Sequence, residues 1–114
     1  MAWGAWADES LVGALVVERC DSTGMIHGPI VVNVPDALEV GAHLVSALLS
    51  HARAFRLTTL FTRPQGLDRV WVRFGFVPGP EAMLPEPLKA RSGIGLYVWR
   101  ESPGRLTQTS ASRP

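Results

Sequence analysis

The chain has 114 residues, with 11 Lys and Arg against 10 Asp and Glu, a formal net charge of +1. This length supports one domain, and so balanced a charge provides no field that would attract nucleic acid or an anionic membrane. The single cysteine, Cys20, excludes an intrachain disulfide and a four-cysteine zinc site, which favours a reducing cytoplasm. No segment reaches the roughly 18 continuous apolar residues of a membrane span, so we expect a soluble protein.

Three strands are predicted in the first third of the chain. The apolar segments Ala2 to Ala7 and Leu11 to Cys20 flank the polar residues Asp8 to Ser10, which favour a hairpin turn. A third segment, Gly24 to Val34, completes a meander. Because proline has no N–H to donate to a ladder, Pro29 marks either a bulge in this strand or an ordinary edge-strand position.

The clearest predicted element is a long helix that begins after Pro35. Apolar residues recur at helical spacing on one side of it, and polar residues recur on the other. The predicted buried stripe consists of Leu38, Gly41, Val45, Leu48 and Ala52, widened by Leu44 and Leu49. Asp36 and Glu39 form a D-x-x-E pattern, in which Asp36 would cap the helix and Glu39 would reach back towards the cap.

The second half of the chain predicts a strand, a short helix and a last strand. Arg56 to Arg63 has the composition of a strand, and Pro64 to Gly75 predicts a loop leading into a short helix that the glycine ends. A proline-rich, irregular segment follows, with an extended start at Phe76. Gly93 to Glu101 forms the last predicted strand.

The order of these elements resembles the GNAT superfamily of acetyl-coenzyme A dependent acyltransferases. Two local sequences strengthen the likeness: the Leu/Ala-rich helix HLVSALLSHARAF and the aromatic-x-x-x-Gly-Phe segment within WVRFGF. The resemblance covers Ala2 to Arg100. It implies an α/β (α+β) fold: a mixed, mostly antiparallel sheet of about five to six strands with one long and one short helix. We expect this partial domain over residues 1–101 and a disordered tail over residues 102–114.

The family pattern begins with a strand and helices that this chain lacks. In the family these elements form part of the groove for the acceptor substrate. We therefore expect the acceptor side to be missing or to be supplied from elsewhere.

The resemblance implies a coenzyme site where the third strand meets the long helix. In the family, this strand separates from its neighbour to admit the coenzyme arm, and N–H groups at the helix N-terminus hold the pyrophosphate. The resemblance implies that the N–H groups of Gly41 and Ala42 make the pyrophosphate contacts. It assigns the pantetheine contacts to the backbone from Val32 to Val34.

Two acidic residues depart from the family pattern at this site. Asp36 falls where relatives carry Arg or Gln, and Glu39 falls where they carry the first glycine. A carboxylate about 4–5 Å from a phosphate repels it by a few kcal/mol at an effective dielectric near 20. The helix end is therefore either a capped end without coenzyme, or a site that binds acetyl-coenzyme A through other contacts.

The catalytic positions are also unusual. Trp71 occupies the position where many relatives carry a Tyr that protonates the leaving thiolate, and an indole N–H is not a usable proton source. We expect Trp71 in the core or lining a pocket. His27 and Glu18 are the candidates for a general base, although a His in a strand is commonly a structural hydrogen-bonding residue. His43 and His51 lie eight residues apart, too far for a shared metal, and no metal site is predicted.

Two functions of different class remain. The first is a GNAT-type N-acyltransferase that moves an acetyl or acyl group from coenzyme A to an amine. The second is a non-catalytic GNAT-like module that has lost coenzyme binding and serves as a dimeric scaffold or ligand-binding protein. In either case we expect an exposed strand edge at Ala2 to Ala7, an apolar face with Trp3 and Trp6, and a two-fold homodimer that covers them.

Overall fold

The computed structural model describes residues 1–32, 35–89 and 95–101. They form six strands, two α-helices and two short 3-10 turns. The strands are β1 (Ala2–Ala7), β2 (Ser10–Cys20), β3 (Thr23–Val31), β4 (Thr59–Thr62), β5 (Val77–Pro78) and β6 (Tyr97–Arg100), and the helices are α1 (Ala37–Ala52) and α2 (Asp68–Arg73). The 3-10 turns, Glu81–Met83 and Glu86–Leu88, lie between β5 and β6.

One mixed sheet contains all six strands, in the order β1-β2-β3-β4-β6-β5. Neighbouring strands are antiparallel except β3 and β4, which are parallel and are connected through α1. A parallel pair requires a crossover of this kind, because a tight turn can join only antiparallel strands. The predicted fold class, a mostly antiparallel mixed sheet with one long and one short helix, is confirmed.

A bulge interrupts the pairing of β2 with β3. Val16 faces His27 and Ala14 faces Ile30, so the dipeptide Gly28–Pro29 adds one residue to β3. Gly28 has a φ of 106°, and its peptide bond to Pro29 is cis. The structure therefore decides between the two interpretations of Pro29: β3 lies inside the sheet, and the proline belongs to a bulge.

Each face of the sheet carries its own apolar cluster. Both helices pack against the first face, where Leu15, Leu60 and Trp71 belong to the larger cluster. On the second face, Phe61 and Leu88 belong to a smaller cluster, with Leu88 contributed by a 3-10 turn. Successive residues of a strand point to opposite faces, so each strand in the middle of the sheet supplies both clusters.

Two predicted details differ from the structure. Leu38 belongs to the predicted buried stripe but is 55% exposed in the first turn of α1. β4 begins at Thr59 instead of Arg56, whose φ of 58° places it in the left-handed region and prevents extended pairing. The ends of two predicted strands (33–34 and 93–94) and the predicted tail (102–114) lie outside the described residues.

Candidate functional site

The sheet opens between β3 and β4. Their parallel pairing runs from Thr23 opposite Thr59 to Ile26 opposite Thr62, where β4 ends. β3 continues for five more residues to Val31. A gap therefore separates the second half of β3 from the loop that follows β4.

A cavity of about 420 Å³ occupies this gap at the N-terminal end of α1. Its volume lies within the range of small-molecule sites, which is about 300–1,000 Å³. The lining residues are Pro29, Val31, Ala37, Leu38, Gly41, Gln65 and Leu67. None of these side chains carries a charge, so the described part of the wall is apolar apart from the amide of Gln65 and backbone groups.

Gly41 shapes the cavity through its lack of a side chain. A Cβ atom at this position would lie 3.4 Å from Cγ of Pro29 and 3.9 Å from Cγ2 of Val31, so a longer side chain would occupy the space between α1 and the bulge. Ala42, the other helix residue assigned to the pyrophosphate, is 2% exposed and belongs to the core of the domain.

The free backbone donors of α1 lie one turn earlier than the family resemblance implies. The N–H of Val40 already donates to the carbonyl of Asp36 at 3.0 Å, which starts the helical ladder. In a helix the N–H groups after this point bond to the preceding turn, so Gly41 and Ala42 have no free N–H. The donors that face the N-terminal end belong to Ala37–Glu39.

The backbone of β3 also presents polar groups to the gap. The N–H of Val32 donates to the carbonyl of Val12 at 2.8 Å, so this group points towards β2. Successive peptide groups of a strand point to opposite sides, and Val31 pairs with Gly13 in the ladder. The N–H and C=O of Val31 therefore point away from β2 and into the gap. Val34, the other backbone residue assigned to the pantetheine arm, lies outside the described residues.

The two acidic residues at the start of α1 lie away from the described cavity wall. Asp36 occupies the N-cap position, makes no side-chain capping hydrogen bond and lines a separate cavity of about 200 Å³ beside Trp6 and His43. Glu39 approaches Nη1 of Arg73, in α2, at 3.7 Å. The predicted capping box is therefore wrong, because Glu39 turns towards a cation on the neighbouring helix. Both partners are exposed, so the pair reduces the local negative charge without contributing much stability.

His27 and Glu18 are brought together at the start of the gap. Nε2 of His27 lies 3.1 Å from Oε1 of Glu18, and each side chain is 35% exposed. An ionised carboxylate only accepts hydrogen bonds, so a neutral imidazole in this contact would carry its hydrogen on Nε2 and have its acceptor at Nδ1. His27 follows Ile26, the last residue of β3 that pairs with β4.

Trp71 is completely buried in the core. Its indole N–H donates to the carbonyl of Pro64 at 3.1 Å, and its ring lies 5.2 Å from the ring of Phe76. The side chain therefore connects α2 to the loop after β4, and its polar hydrogen is already used.

Sequence reasoning missed Val31, Gln65 and Leu67 as lining residues. The sequence did contain signals for these residues: Pro29 indicated an irregular strand near Val31, and Pro64–Gly66 has the composition of a turn next to Leu67. Among the described residues, no group of three or more His, Cys, Asp or Glu side chains could hold a metal ion. In the same part of the chain, no helix has the length and apolarity needed to cross a membrane.

Comparisons with solved structures identify the architecture. An acetyltransferase of the GNAT family from Staphylococcus aureus matches with a TM-score of 0.75 and 14% identity, over 87% of this chain and 66% of that one. N-acetylglutamate synthase from Neisseria gonorrhoeae, complexed with coenzyme A and N-acetyl-glutamate, matches with a TM-score of 0.71 and 20% identity, over 82% and 24%. An acetyltransferase from Bacillus subtilis in complex with CoA matches with a TM-score of 0.67 and 16% identity, over 89% and 76%.

The shared feature of these matches is the fold. The chain spans about a quarter of the synthase and about two thirds of the staphylococcal enzyme. No protein-family model matches the sequence, and neither does any curated protein.

Proposed function

Because the chain has the fold of the GNAT acetyltransferases, we propose that it is an N-acyltransferase that transfers an acetyl or longer acyl group from coenzyme A to an amine in the cytoplasm. The observation that carries this proposal is the cavity between β3 and β4, which is bounded by the N-terminal turn of α1. Two of the three structural neighbours described above were solved with coenzyme A, which supports the same class of donor.

The residues of the cavity fit the two ends of such a donor. The outward peptide groups of Val31 can hydrogen-bond the amides of a pantetheine arm, and Leu38 and Leu67 can pack against its methylene groups. The free N–H groups of Ala37–Glu39 and the positive end of the helix dipole favour the pyrophosphate. Arg73 offsets the charge of Glu39 nearby.

The opposite end of the gap provides the place for the amine. His27 lies where β3 leaves β4, and its Nδ1 can accept the proton that an amine must lose before it attacks. The amine nitrogen bonds to the thioester carbonyl carbon, the C–S bond breaks, and the proton from the amine ends on the departing sulfur by way of His27 or water. Glu18 stabilises the imidazolium during this transfer.

The test is a calorimetric titration with acetyl-coenzyme A. We expect the wild-type chain to bind, and we expect Gly41→Leu to weaken binding at least tenfold, because the new side chain fills the space beside Pro29. Ser46→Leu is the matched control, since Ser46 is exposed on the same helix and does not line the cavity. If the folded wild-type chain gives no heat of binding with millimolar acetyl-coenzyme A, the proposal is contradicted.

The second candidate function is a dimeric scaffold or ligand-binding module without coenzyme. Its support is the buried Trp71 at the position of the usual Tyr, and the exposure of Trp6, which is 67%. This alternative predicts no acetyl-coenzyme A binding by a chain that still self-associates. In both cases we propose a homodimer.

A further inference from the structure

A further cavity lies at the far edge of the sheet, away from the proposed donor site. It has a volume of about 450 Å³, within the range of small-molecule sites, and lies between β5, the end of β6 and the first 3-10 turn. We call it the edge cavity. None of its lining residues lines the cavity between β3 and β4, so the two sites are separate. The lining residues are Gly75, Val77, Pro78, Gly79, Pro80, Met83, Val98 and Arg100.

The floor and walls of the edge cavity are apolar. Val98 of β6 is 6% exposed and pairs with Val77 of β5, which is 56% exposed. Directly paired residues lie on the same face of a sheet, so Val98 forms the floor and Val77 forms one wall. A Cβ on Gly79 would lie 3.0 Å from Cγ1 of Val98 and 3.5 Å from Sδ of Met83, so the methionine lies beside the floor. A methionine side chain adapts its shape to an apolar ligand.

Arg100 places one positive charge at the end of this apolar surface. It follows Val98 by two residues in β6 and therefore lies on the same face of the sheet. Within the described residues, its guanidinium forms no ion pair. The carboxylate of Glu81, in the 3-10 turn, is already held by Arg63. The edge cavity therefore presents an unneutralised cation to a ligand.

The backbone N–H of Arg100 is a second donor at the same place. The carbonyl of Leu96 accepts from the N–H of Gly79 at 3.0 Å, so the N–H and C=O of Leu96 point towards β5. Glu101 points the other way, because its N–H donates to the carbonyl of Thr58 at 2.8 Å. By alternation the N–H of Arg100 points to the β5 side, beyond the last residue of β5 that pairs with β6. This N–H and the guanidinium can bond one carboxylate together.

We propose that the edge cavity binds a free carboxylic acid with an apolar alkyl or arylalkyl body, with the carboxylate at Arg100 and the body on Val77 and Val98. A guanidinium matches a carboxylate with two parallel hydrogen bonds, and the apolar body removes the floor and wall from water. The four residue steps from Leu96 to Arg100 provide about 13 Å of strand for the ligand. The site is independent of the proposed acyltransferase function, because it requires neither coenzyme nor amine.

The sequence and the edge strand favour a free acid over a polypeptide. Residues 90–94 and 102–114 contain no Asp or Glu, so these segments bring no carboxylate side chain to Arg100. An added peptide strand would need N–H groups on the outer side of β5, and Pro78 has none. A small acid requires only the cation and the apolar walls, which are present.

The first experiment compares three ligands of the wild-type chain by calorimetry at about pH 7. We expect 4-phenylbutyrate to bind at least about tenfold more tightly than 4-phenylbutan-1-ol, which has the same body without the charge. Acetate has the charge without the body, and it should also bind at least about tenfold more weakly than 4-phenylbutyrate. If either comparison ligand binds as tightly as 4-phenylbutyrate, the proposed ligand class is wrong. The comparison does not depend on the folding of any variant.

Two substitutions test the assigned contacts. Arg100→Gln keeps a polar side chain at an exposed position, and it should weaken 4-phenylbutyrate binding at least about tenfold without changing the affinity for the alcohol. Val77→Thr keeps a β-branched side chain, and it should weaken binding of both ligands about threefold. Arg53→Gln, at the exposed C-cap of α1, removes the same charge elsewhere and should leave the affinity unchanged. Equal weakening by Arg100→Gln and Arg53→Gln would overturn the site, because net charge alone would then explain the attraction.

Other occupants and the proposed function give distinct results. The free-acid assignment is contradicted if an apolar tripeptide with a free C-terminus binds more tightly than 4-phenylbutyrate, or if Val77→Thr converts a dimer into a monomer. Acetyl-coenzyme A binding should be unchanged in Arg100→Gln, because Arg100 does not line the donor cavity. If 4-phenylbutyrate binds and acetyl-coenzyme A does not, the acyltransferase function alone is wrong. The reverse result would exclude the acid site alone.

Discussion

The guanidinium of Arg63 attaches the chain after β5 to the end of β4. Its Nη1 donates to the carbonyl of Gly95 at 2.7 Å and to the carboxylate of Glu81, and its Nη2 donates to Oε1 of Glu81 at 2.9 Å. Arg63 is 8% exposed at its side chain, whereas Glu81 is 61% exposed. The hydrogen bonds from Arg63 lower the pKa of Glu81 below its ordinary value, and the charge of the guanidinium acts in the same direction.

This pair predicts a pH-dependent contribution to stability. A carboxyl whose pKa is lowered by folding stabilises the folded state above its unfolded pKa, and this contribution disappears as the pH falls through the folded pKa. We expect Glu81→Gln to reduce the free energy of unfolding at neutral pH, and we expect the difference from wild type to shrink below about pH 4.5. Urea denaturation between pH 3 and 7 measures the difference.

The control for this prediction is Glu86→Gln. Glu86 is 85% exposed and pairs with Lys89 only three residues away, so its substitution has little effect at any pH. A Glu81→Gln difference that stays constant as the pH is lowered would contradict the assigned role of the carboxylate.

At the scale of the elements, Gly24 in β3 and Gly41 in α1 differ in the space that is available for a side chain. A Cβ on Gly24, in β3, would lie 2.6 Å from Cγ1 of Val17 and 3.0 Å from Cδ2 of Leu60, closer than packed atoms allow. A Cβ on Gly41, in α1, would make an ordinary contact with Pro29 at 3.4 Å. The first glycine permits the close packing of strand and core, and the second keeps a cavity open.

Alanine at these two positions should therefore change stability in opposite directions. We expect Gly24→Ala to lower the free energy of unfolding by about 1–3 kcal/mol through overpacking. Gly41→Ala should raise it by up to about 1 kcal/mol, because alanine favours a helix interior, while it weakens acetyl-coenzyme A binding. Urea midpoints and the donor titration measure both effects. A Gly41→Ala variant that is less stable than wild type would show that the helix end is already tightly packed.

Element type was predictable because it depends on local pattern. The helical period of α1 and the apolar segments of β1 and β2 gave their types and close bounds. The contact of Glu39 with Arg73 was not predictable from spacing, because it joins two helices through the way α2 docks beside α1. A D-x-x-E pattern predicts only the capping interactions within one helix, not contacts with a neighbouring helix.

At the scale of the whole molecule, β1 forms one edge of the sheet, and none of the described strands pairs with its outer side. Met1 and Val17 exchange backbone hydrogen bonds, so by alternation the N–H and C=O groups of Trp3 and Ala5 also bond to β2. The N–H and C=O groups of Ala2 and Gly4 therefore point away from β2, towards the outer side of the strand. No residue of β1 is charged or proline, the features that usually protect an edge. Two copies can pair through this edge about a two-fold axis, with each strand antiparallel to its partner.

We expect a mass near twice 12.4 kDa by light scattering at micromolar concentration. Ala2→Pro removes an outward N–H at the first residue of the strand and should return the mass to that of one chain. Ala2→Ser retains the N–H and should remain dimeric. A wild-type mass of one chain at all concentrations would refute the edge-paired dimer.

The adjacency of the site residues is a property of the whole sheet. His27 and Glu18 were identified as separate candidates, but their contact depends on the register between β2 and β3, which the bulge at Gly28–Pro29 shifts. The sequence shows where the proline lies, but it does not show which residues of β2 and β3 lie opposite each other. Trp71 was expected in the core or a pocket wall, and it is completely buried in the larger apolar cluster, which also contains Leu60 of β4.

The short pairing of β3 with β4 has a mechanical consequence. The sheet consists of two halves, one of β1 to β3 and one of β4 to β6, which are joined by four residue pairs between β3 and β4. α1 packs on the first half, against β1, β2 and β3, and its N-terminal turn lies beside the gap. Widening the gap would break the Ile26–Thr62 pair before any other, because this pair is the last one before the gap. A ligand too wide for the present gap would therefore require the loss of one residue pair of the ladder.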